Sequence, residues 1–204
     1  MQIKKIIGNS IIIVILLVSI AHAQTNGNEL IKDLQTRFNA IDDLTAEFIQ
    51  STNGKIFLSG VFLFKKENMV KIIAKQLIIV SDGTTSWSYN KKENKVIISN
   101  FDENDPGVFS INELVYNFPE ECDISSNIEN GEKVLTLVPN GYKYNFNKVQ
   151  IWLNADDLIS KVLFIDPAFG ETEVTFSNYK LNQNFSDSEF YFIPPVGSKI
   201  IDLR

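Results

Sequence analysis

Apolar residues near the start of the chain repeat at helical spacing. They recur every three or four positions, with charged and polar residues between them, at Leu30, Ile31, Leu34, Phe38 and Ile41. This period is typical of an amphipathic α-helix that turns one apolar stripe toward a core. Asn28 is a candidate N-cap, because its short polar side chain can accept a hydrogen bond from a free backbone N–H group at the helix start.

From residue 44 onward the period changes to two. Leu44, Ala46 and Phe48 alternate with polar residues, and short apolar runs follow, separated by turn dipeptides such as Asp-Gly and Asn-Gly. The pattern predicts a mainly β fold with about 10–11 strands in an antiparallel meander after one helix. The predicted strands lie near residues 44–50, 55–65, 69–74, 77–81, 85–90, 95–100, 123–128, 132–138, 147–153, 158–165 and 171–181.

Several of these strands are apolar on both faces, namely those containing Gly60 to Phe64, Leu77 to Val80, Val96 to Ile98 and Val162 to Ile165. An antiparallel sheet with one wet face should alternate instead, so both faces must meet apolar material. A packed core satisfies this requirement. A curved sheet around a hydrophobic cavity, closed by helices, satisfies it equally. Periodicity alone leaves both interpretations open.

The segment from Asp102 to Pro119 interrupts the meander. Asp105-Pro106-Gly107 breaks the strand pattern, and a short apolar helical patch follows, with Ser110 as a candidate cap. The apolar residues of this patch are Val108, Phe109, Ile111, Leu114 and Val115. A helix at this place in the chain could close one mouth of a barrel.

Residues 1–23 have the composition of a secretory signal peptide. Lys4 and Lys5 precede an apolar run from Ile6 to Ile20, and Ala21-His22-Ala23 forms a small-x-small cleavage site. The run is shorter than the roughly 20 residues of a typical membrane span, although an uncleaved anchor is the alternative. We expect cleavage after Ala23 and a single domain over residues 24–204.

Charge and composition narrow the function after cleavage. Loss of two leader lysines changes the formal net charge from −6 to −8. Such a balance argues against binding nucleic acid, which needs a basic surface, and against resting on anionic lipid headgroups. The single histidine, His22, lies in the leader, so the mature chain has no histidine-dependent triad and no His-ligated zinc site.

The remaining candidate chemistry is sparse. Cys122 is the only cysteine, and acidic neighbours such as Glu121 and Asp123 should raise its pKa and weaken it as a nucleophile. Candidate carboxylate pairs for catalysis are Asp42/Asp43, Asp156/Asp157 and Glu171/Glu173. Adjacent acids more often form solvated turns, so we expect no catalytic residues, no metal site, no cofactor and no enzymatic activity.

Four stretches in order give the sequence a family resemblance: Asp43 to Gln50, Gly60 to Lys66, Ile78 to Asn90 and Phe190 to Asp202. The second reads GVFLFKK, the third IIVSDGTTSWSYN, and the last FYFIPPVGSKIID, with an aromatic strand expected before Pro-Pro and Gly. With the leader in front, the chain resembles the LolA family of periplasmic outer-membrane lipoprotein carriers along nearly its whole mature length.

The resemblance implies an incomplete antiparallel β-barrel, closed by a helical lid over a hydrophobic cavity, and so favours the cavity interpretation. The implied cavity residues are Phe62, Phe64, Val70, Ile72, Ile79 and Trp87. A slip of one residue in register would exchange the two faces, and Trp87 is also a candidate for the core. The candidate lid-facing residues are Leu34, Phe38, Ile111 and Leu114, for which simple packing is the alternative.

The family often places an arginine that holds the lid closed where this chain has Lys66. Lysine lacks the planar five-donor fork of arginine, so fewer lid carbonyls could be held at once. Glu67 follows, where the family commonly has proline, which puts the local turn in question. The alternative is that Lys66 is an ordinary exposed lysine at a strand end.

The resemblance also implies a route and partners. An inner-membrane ATP-driven complex releases acylated lipoproteins to a soluble, monomeric periplasmic carrier, which passes them to an outer-membrane receptor or acceptor. One alternative is a periplasmic lipid- or lipoprotein-binding or sensing module on the same scaffold. Another is the outer-membrane receptor itself, but a lipid-anchored protein would carry cysteine after the leader, where this chain has Gln24.

Overall fold

The computed structural model describes residues 26–101, 110–168 and 170–204. Two predictions therefore lie outside the described residues. One is the leader over residues 1–23, and the other is the Asp105-Pro106-Gly107 break with Val108 and Phe109.

Helix α1 spans Gly27–Asn39, as the apolar period predicted. Its N-cap is Asn26 rather than Asn28, because the Asn26 side chain accepts a hydrogen bond from the backbone N–H of Asn28 at 3.1 Å. The apolar stripe is buried along the whole helix, through Leu30, Ile31, Leu34 and Phe38. The helix is therefore anchored by one face, with its polar residues toward solvent.

In the described part of the chain, twelve strands form one sheet. They are β1 Asp43–Thr52, β2 Lys55–Lys65, β3 Met69–Ala74, β4 Leu77–Asp82, β5 Thr85–Asn90, β6 Lys95–Asn100, β7 Cys122–Glu129, β8 Glu132–Pro139, β9 Lys148–Leu153, β10 Ile159–Asp166, β11 Gly170–Leu181 and β12 Lys199–Asp202. Their spatial order is β12-β6-β5-β4-β3-β2-β1-β11-β10-β9-β8-β7. The sheet is open and curved, with β12 and β7 at its two ends.

The strand count corrects the prediction of 10 or 11 strands, because β12 was missed. This strand pairs parallel to β6, with Lys199 opposite Lys95, whereas the other neighbours pair antiparallel. The predicted aromatic strand before Pro194 is also wrong. A 3₁₀ helix, Asp187–Phe190, ends where that strand was expected to begin, residues 191–193 have no regular structure, and the prolines after them lack the N–H groups that a ladder requires.

Between β6 and β7 lies a short helical insert. A π-helical segment, Glu113–Asn117, continues into a helical turn, Phe118–Glu120, and the two together are called the insert helix. The hydroxyl of Ser110 accepts the backbone N–H of Glu113 at 3.2 Å, which confirms Ser110 as the cap. The insert helix and α1 both pack against β7 and β8.

Two separate apolar layers cover the sheet. The inner face is the face against α1 and the insert helix, and its layer is the larger one. On β2–β6 the opposite, outer face carries a second layer: Leu63, Val80, Trp87, Val96 and Ile98, with Phe190 packed on them. Residues 183–198, here called the strap, bring Phe190 across this face. The two covers explain why strands β2–β4 are apolar on both faces: the helices cover the inner face and the strap covers the outer face.

Candidate functional site

The candidate site is the contact between the two helices and the inner face of the sheet, which we call the lid interface after the predicted lid. Nine of the predicted site residues are buried together in this one cluster. They are Leu34, Phe38, Ile111 and Leu114 on the helical side and Phe62, Phe64, Val70, Ile72 and Ile79 on the sheet. This arrangement settles their register, whereas their role in binding stays a prediction.

Trp87 is a correction. It lies on the outer face, opposite Val80 and Ile98, and its ring packs edge-on against Tyr191 with centroids 5.3 Å apart. The reason is the alternation in β5, where Ser86 and Ser88 take the inner face and Trp87 takes the outer one. Trp87 therefore belongs to the layer under the strap and does not line the lid interface.

A small void remains at the centre of the lid interface. Its volume is about 10 Å³, which is roughly the room that one water molecule needs. It is lined by Phe38, Leu44, Phe62, Ile111, Ile159, Phe176 and Tyr179. The lining is apolar apart from the tyrosine hydroxyl, which donates to the carbonyl of Ile159 at 2.7 Å. Burial raises the pKa of Tyr179, so this donor stays protonated in the physiological range.

Four residues that line the void escaped the sequence analysis: Leu44, Ile159, Phe176 and Tyr179. They lie on β1, β10 and β11, and β1 pairs with β11 across more than a hundred residues of chain. Alternation predicts that Leu44 and Phe176 each face one side of a strand, but it does not show that these strands are neighbours. No local signal could have placed the four at one point.

Lys66 lies where β2 ends beside the last residue of α1. Its ammonium group donates to the carbonyl of Asn39 at 3.0 Å and to the carboxylate of Asp42 at 2.7 Å. A cation at this position complements the partial negative charge of a helix C-terminus. The lysine side chain is 46% exposed and the Asp42 side chain 77%, so the ion pair contributes little to overall stability.

Asn39 also connects the two helices. Its side-chain oxygen accepts the hydroxyl of Tyr116 at 2.7 Å, while its backbone carbonyl accepts Lys66. Burial raises the pKa of Tyr116, and the nearby Lys66 charge acts in the opposite direction. A second bond joins the helices, from the amide of Gln35 to the carbonyl of Val115 at 3.0 Å. The two helices are therefore fastened to each other as one unit.

Two further bonds attach this unit to the sheet. The guanidinium of Arg37 donates to the carbonyl of Asp156 in the β9–β10 turn at 3.1 Å. The amide of Asn112 donates to the side chain of Asn68 in the β2–β3 turn. These contacts lie at the rim, whereas the centre of the interface is apolar.

An aromatic cluster lies beside the insert helix and was also missed by the sequence analysis. The ring of Phe118 contacts Tyr144, Phe146 and Phe164, with centroids 4.8, 4.9 and 6.4 Å away. Tyr144 and Phe146 stack on each other at 5.2 Å and come from the β8–β9 loop. This loop therefore covers the insert helix from the side.

The candidate carboxylates have structural partners. Asp43 is buried and accepts the backbone N–H groups of Gln183 and Phe185 at 2.7 and 3.0 Å, which fixes the start of the strap. The Asp157 carboxylate pairs with Lys133 at 2.8 Å. Glu173 approaches Lys161 at 3.9 Å. None of these contacts creates a shared-proton pair of acids.

Cys122 is buried at the β7 end of the inner layer. Burial, and then the charges of Asp123 and Glu121, raise the pKa of this thiol to about 11. This agrees with the sequence-based expectation of a weak nucleophile.

In residues 26–101, 110–168 and 170–204, His, Cys, Asp and Glu side chains form no group of three that could hold a metal ion.

The helices in the described part of the chain are too short or too polar to cross a membrane. The longest of them is α1, with 13 residues.

The family described as "Outer membrane lipoprotein carrier protein LolA" matches residues 39–193. An outer-membrane lipoprotein carrier protein of Legionella pneumophila is 24% identical over 177 residues, covering 82% of this chain and 87% of that protein. An uncharacterised protein of Methanocaldococcus jannaschii is 24% identical over 188 residues and 87% of this chain, which spans only 54% of that relative's length. The crystal structure of an uncharacterised conserved protein from Thermus thermophilus covers 84% of this chain and 98% of its own, with a TM-score of 0.57 and 12% identity. The last likeness shows a shared fold.

Proposed function

This chain belongs to the LolA family of outer membrane lipoprotein carrier proteins, and we propose that it is a soluble periplasmic carrier that shields lipoprotein acyl chains. It collects them at the inner membrane and delivers them to the outer membrane. The observation that supports this proposal most strongly is the lid interface, an apolar contact between a curved sheet and two helices that are joined to each other.

The interface has the composition that an acyl chain needs. Its centre is built from aromatic and aliphatic side chains such as Phe38, Phe62 and Ile111, and its polar bonds stay at the rim. Burying an acyl chain is worth about 0.8 kcal/mol per CH₂ group. A multiply acylated protein therefore stays in a membrane unless a carrier offers comparable apolar surface.

Loading requires the helices to move. The void of about 10 Å³ has no room for an acyl chain. In our proposal α1 and the insert helix swing away from the sheet as one lid, and acyl chains take the place of the helix contacts. Because one apolar contact replaces another, the closed and loaded states differ by only a few kcal/mol, which favours release.

Lys66 is the proposed latch of this lid. It holds the last carbonyl of α1 from the end of β2, and Asn39 passes this constraint to Tyr116 on the insert helix. Glu67 and Asn68 adopt positive φ angles of 69° and 63°, so the turn that positions Lys66 is formed without proline. A single lysine with two acceptors makes a weak latch that opens readily.

Membership of the family supports the route that we propose. Residues 1–23 act as a cleaved leader and residues 24–204 form the single mature domain, exported as a monomer to the periplasm. An inner-membrane ATP-driven complex supplies acylated lipoproteins, and an outer-membrane receptor or acceptor takes them over. The buried carboxylate and thiol already have structural roles, so the proposal assigns this protein no catalysis and no cofactor.

A titration of the chain from Gln24 onward with a triacylated lipopeptide tests the function, with the deacylated peptide as control. We expect saturable binding that requires the acyl chains. Equal binding of the two peptides would contradict an acyl carrier. Absence of binding, combined with affinity for another lipid, would favour a different lipid-binding module on the same scaffold.

A further inference from the structure

In the part of the sheet from β12 to β1, four turns lie together at the end of the strands away from Lys66. Hairpin turns that join successive antiparallel strands in pairs lie at the same edge, which places residues 53–54, 75–76 and 91–94 together. Strand β12 starts at this edge too, because Lys199 lies opposite Lys95. The turn at 194–198 therefore joins the other three.

Hydrogen bonds hold three of these turns against one another. The backbone N–H of Lys91 donates to Gln76 at 2.9 Å, and its ammonium group donates to the carbonyl of Ala74 at 2.8 Å. The side chain of Asn94 donates to the carbonyl of Gly197 at 3.0 Å, and its own carbonyl accepts the N–H of Lys199 at 2.9 Å. These three turns thus form one fixed surface.

This edge is basic in a chain that is acidic overall. Six lysines lie on or next to the four turns: Lys55, Lys75, Lys91, Lys92, Lys95 and Lys199. Glu93 is the single acid in these segments, and the bonded Lys95 together with the charges of Lys92 and Lys199 holds its pKa below the usual value. Across the sheet from these turns, the next acidic residue at this end of the strands is Glu171 on β11, on the far side of β1.

Apolar side chains project from the same edge. Ile56 is 71% exposed, Phe57 74% and Val196 fully exposed. The β1–β2 hairpin extends past β3, since β2 begins at Lys55 while the end of β3 lies opposite Gly60, and on its other side β1 stays paired with β11 as far as Thr52. Five residues therefore project beyond β3, roughly 16 Å of strand at 3.3 Å per residue. We call the six lysines with Ile56, Phe57 and Val196 the basic edge.

We propose that the basic edge docks the protein on the surface of an anionic lipid bilayer. The lysines contact headgroup phosphates, and Ile56, Phe57 and Val196 enter the interface between headgroups and acyl chains. Ile56 and Phe57 lie on the β1–β2 hairpin and Val196 lies on the turn at 194–198, so the exposed apolar side chains are divided between two turns. This suits a deformable lipid surface better than the packed centre of a protein–protein interface.

The negative charge of the rest of the molecule limits this contact to one orientation and keeps it reversible. The orientation leaves the latch at the far end of the strands, away from the bilayer. The proposal goes beyond the carrier function, because the contact is made with or without cargo. The total charge alone argues against binding to anionic lipid, whereas the structure shows that this charge is unevenly distributed over the surface.

Vesicle flotation of the chain from Gln24 onward, without cargo, tests this. The vesicles contain phosphatidylglycerol and phosphatidylethanolamine, with pure phosphatidylcholine vesicles as the neutral control. Each lysine near an anionic surface contributes about fivefold to binding, so K75E/K92E should lower the partition coefficient at least about 20-fold. The matched variant K32E/K180E reverses two exposed lysines elsewhere and should have a small effect.

A second pair of variants tests the exposed apolar side chains of the basic edge. Phe57→Ser should weaken flotation several-fold, whereas Ile128→Ser, at an exposed apolar position on β7, should not. Circular dichroism confirms that all four variants fold. Equal binding to neutral and anionic vesicles, or equal loss in K75E/K92E and K32E/K180E, overturns the proposal. No vesicle binding by the unmodified chain overturns it too, and would leave an acidic protein as the better partner for this edge. The outcome does not depend on lipopeptide binding, so the two proposals fail separately.

Discussion

The two faces of strands β2–β4 both carry apolar side chains but have very different covers. The outer face lies under the strap, where Phe190 is completely buried and Asp43 anchors the segment through two backbone N–H bonds. The inner face lies under helices whose polar bonds to the sheet stand at the rim, around a void. The same kind of apolar surface can thus serve as a permanent core on one side and as a separable contact on the other.

The strap is fastened by charges as well as by apolar packing. Lys65 donates to the carbonyl of Phe185 at 2.8 Å and pairs with Asp187, and Lys71 approaches Glu189 at 3.4 Å. Lys66, the residue after Lys65, donates to the end of α1 instead. Two adjacent lysines at the end of β2, Lys65 and Lys66, therefore contact the two covers separately, which makes matched tests available.

The largest expected effect is on the strap. Phe190→Ala removes a fully buried ring and should lower the free energy of unfolding by about 3–5 kcal/mol. Chemical denaturation measures this change. The molecules that remain folded should bind a triacylated lipopeptide with unchanged affinity. A selective loss of affinity would place the binding surface under the strap and reverse our assignment of the two faces.

The next test compares neighbours on β2. Phe62 faces the void and Leu63 faces the strap, and each truncation to alanine should cost about 2–5 kcal/mol of stability. Only Phe62→Ala should change acyl-lipopeptide affinity, because only Phe62 lines the proposed cavity. Calorimetric titration of both variants at a temperature where both are folded separates the faces. An equal change in both would indicate that affinity follows stability alone.

A smaller effect separates the two lysines. Lys66→Met should cost at most about 1 kcal/mol of stability, since the ion pair is exposed, but should speed lipopeptide loading by weakening the latch. Lys65→Met should leave the loading rate unchanged, because its partners are in the strap. Stopped-flow fluorescence with a labelled lipopeptide gives both rates. Faster loading in the Lys65 variant would show that the strap also gates entry.

The last test uses the reactivity of Cys122, whose side chain is buried in the inner layer, to measure how readily that layer opens. With its pKa at about 11, the native thiol should react with iodoacetamide at pH 8 about 100-fold more slowly than a free cysteine. Lys66→Met should raise this rate and Lys65→Met should not.

The raised pKa of the Cys122 thiol predicts that the free energy of unfolding depends on pH. The fold keeps the Cys122 thiol neutral, so the unfolded chain loses this proton first. Stability from this source is complete below about pH 8.5 and falls as the pH rises toward 11. Denaturation of Cys122→Ala across this range should show a shallower decline. An identical decline in both proteins would mean that other groups set the slope.

Much of the fold follows from local pattern. Helix α1 and eleven strands came from the helical and twofold periods, because each of these elements buries one side of its own sequence. Strand β12 did not, since four residues after Pro194-Pro195 carry too short a pattern, and a distant parallel partner is needed to define it.

The site was predictable only in part, because some of its residues are brought together by strands that are distant in the sequence. The resemblance to the LolA family implied the nine residues that the structure places at one interface, whereas the two-sided apolar strands alone left a packed core and a cavity both open. Trp87 went to the wrong face because β5 alternates with small polar residues, and register depends on neighbouring strands. The Tyr179 position in the void depends on the β1–β11 pairing, which has no local signal.

The most direct test of the carrier mechanism locks the lid. Asn39→Cys and Lys66→Cys, in a Cys122→Ser background, are joined by a short bis-maleimide across the latch. A control crosslink joins Ile128→Cys to Lys133→Cys, which are cross-strand partners on β7 and β8. We predict that the locked lid abolishes binding of the triacylated lipopeptide while the control retains it. A locked protein that still binds the lipopeptide would contradict the opening of the lid interface.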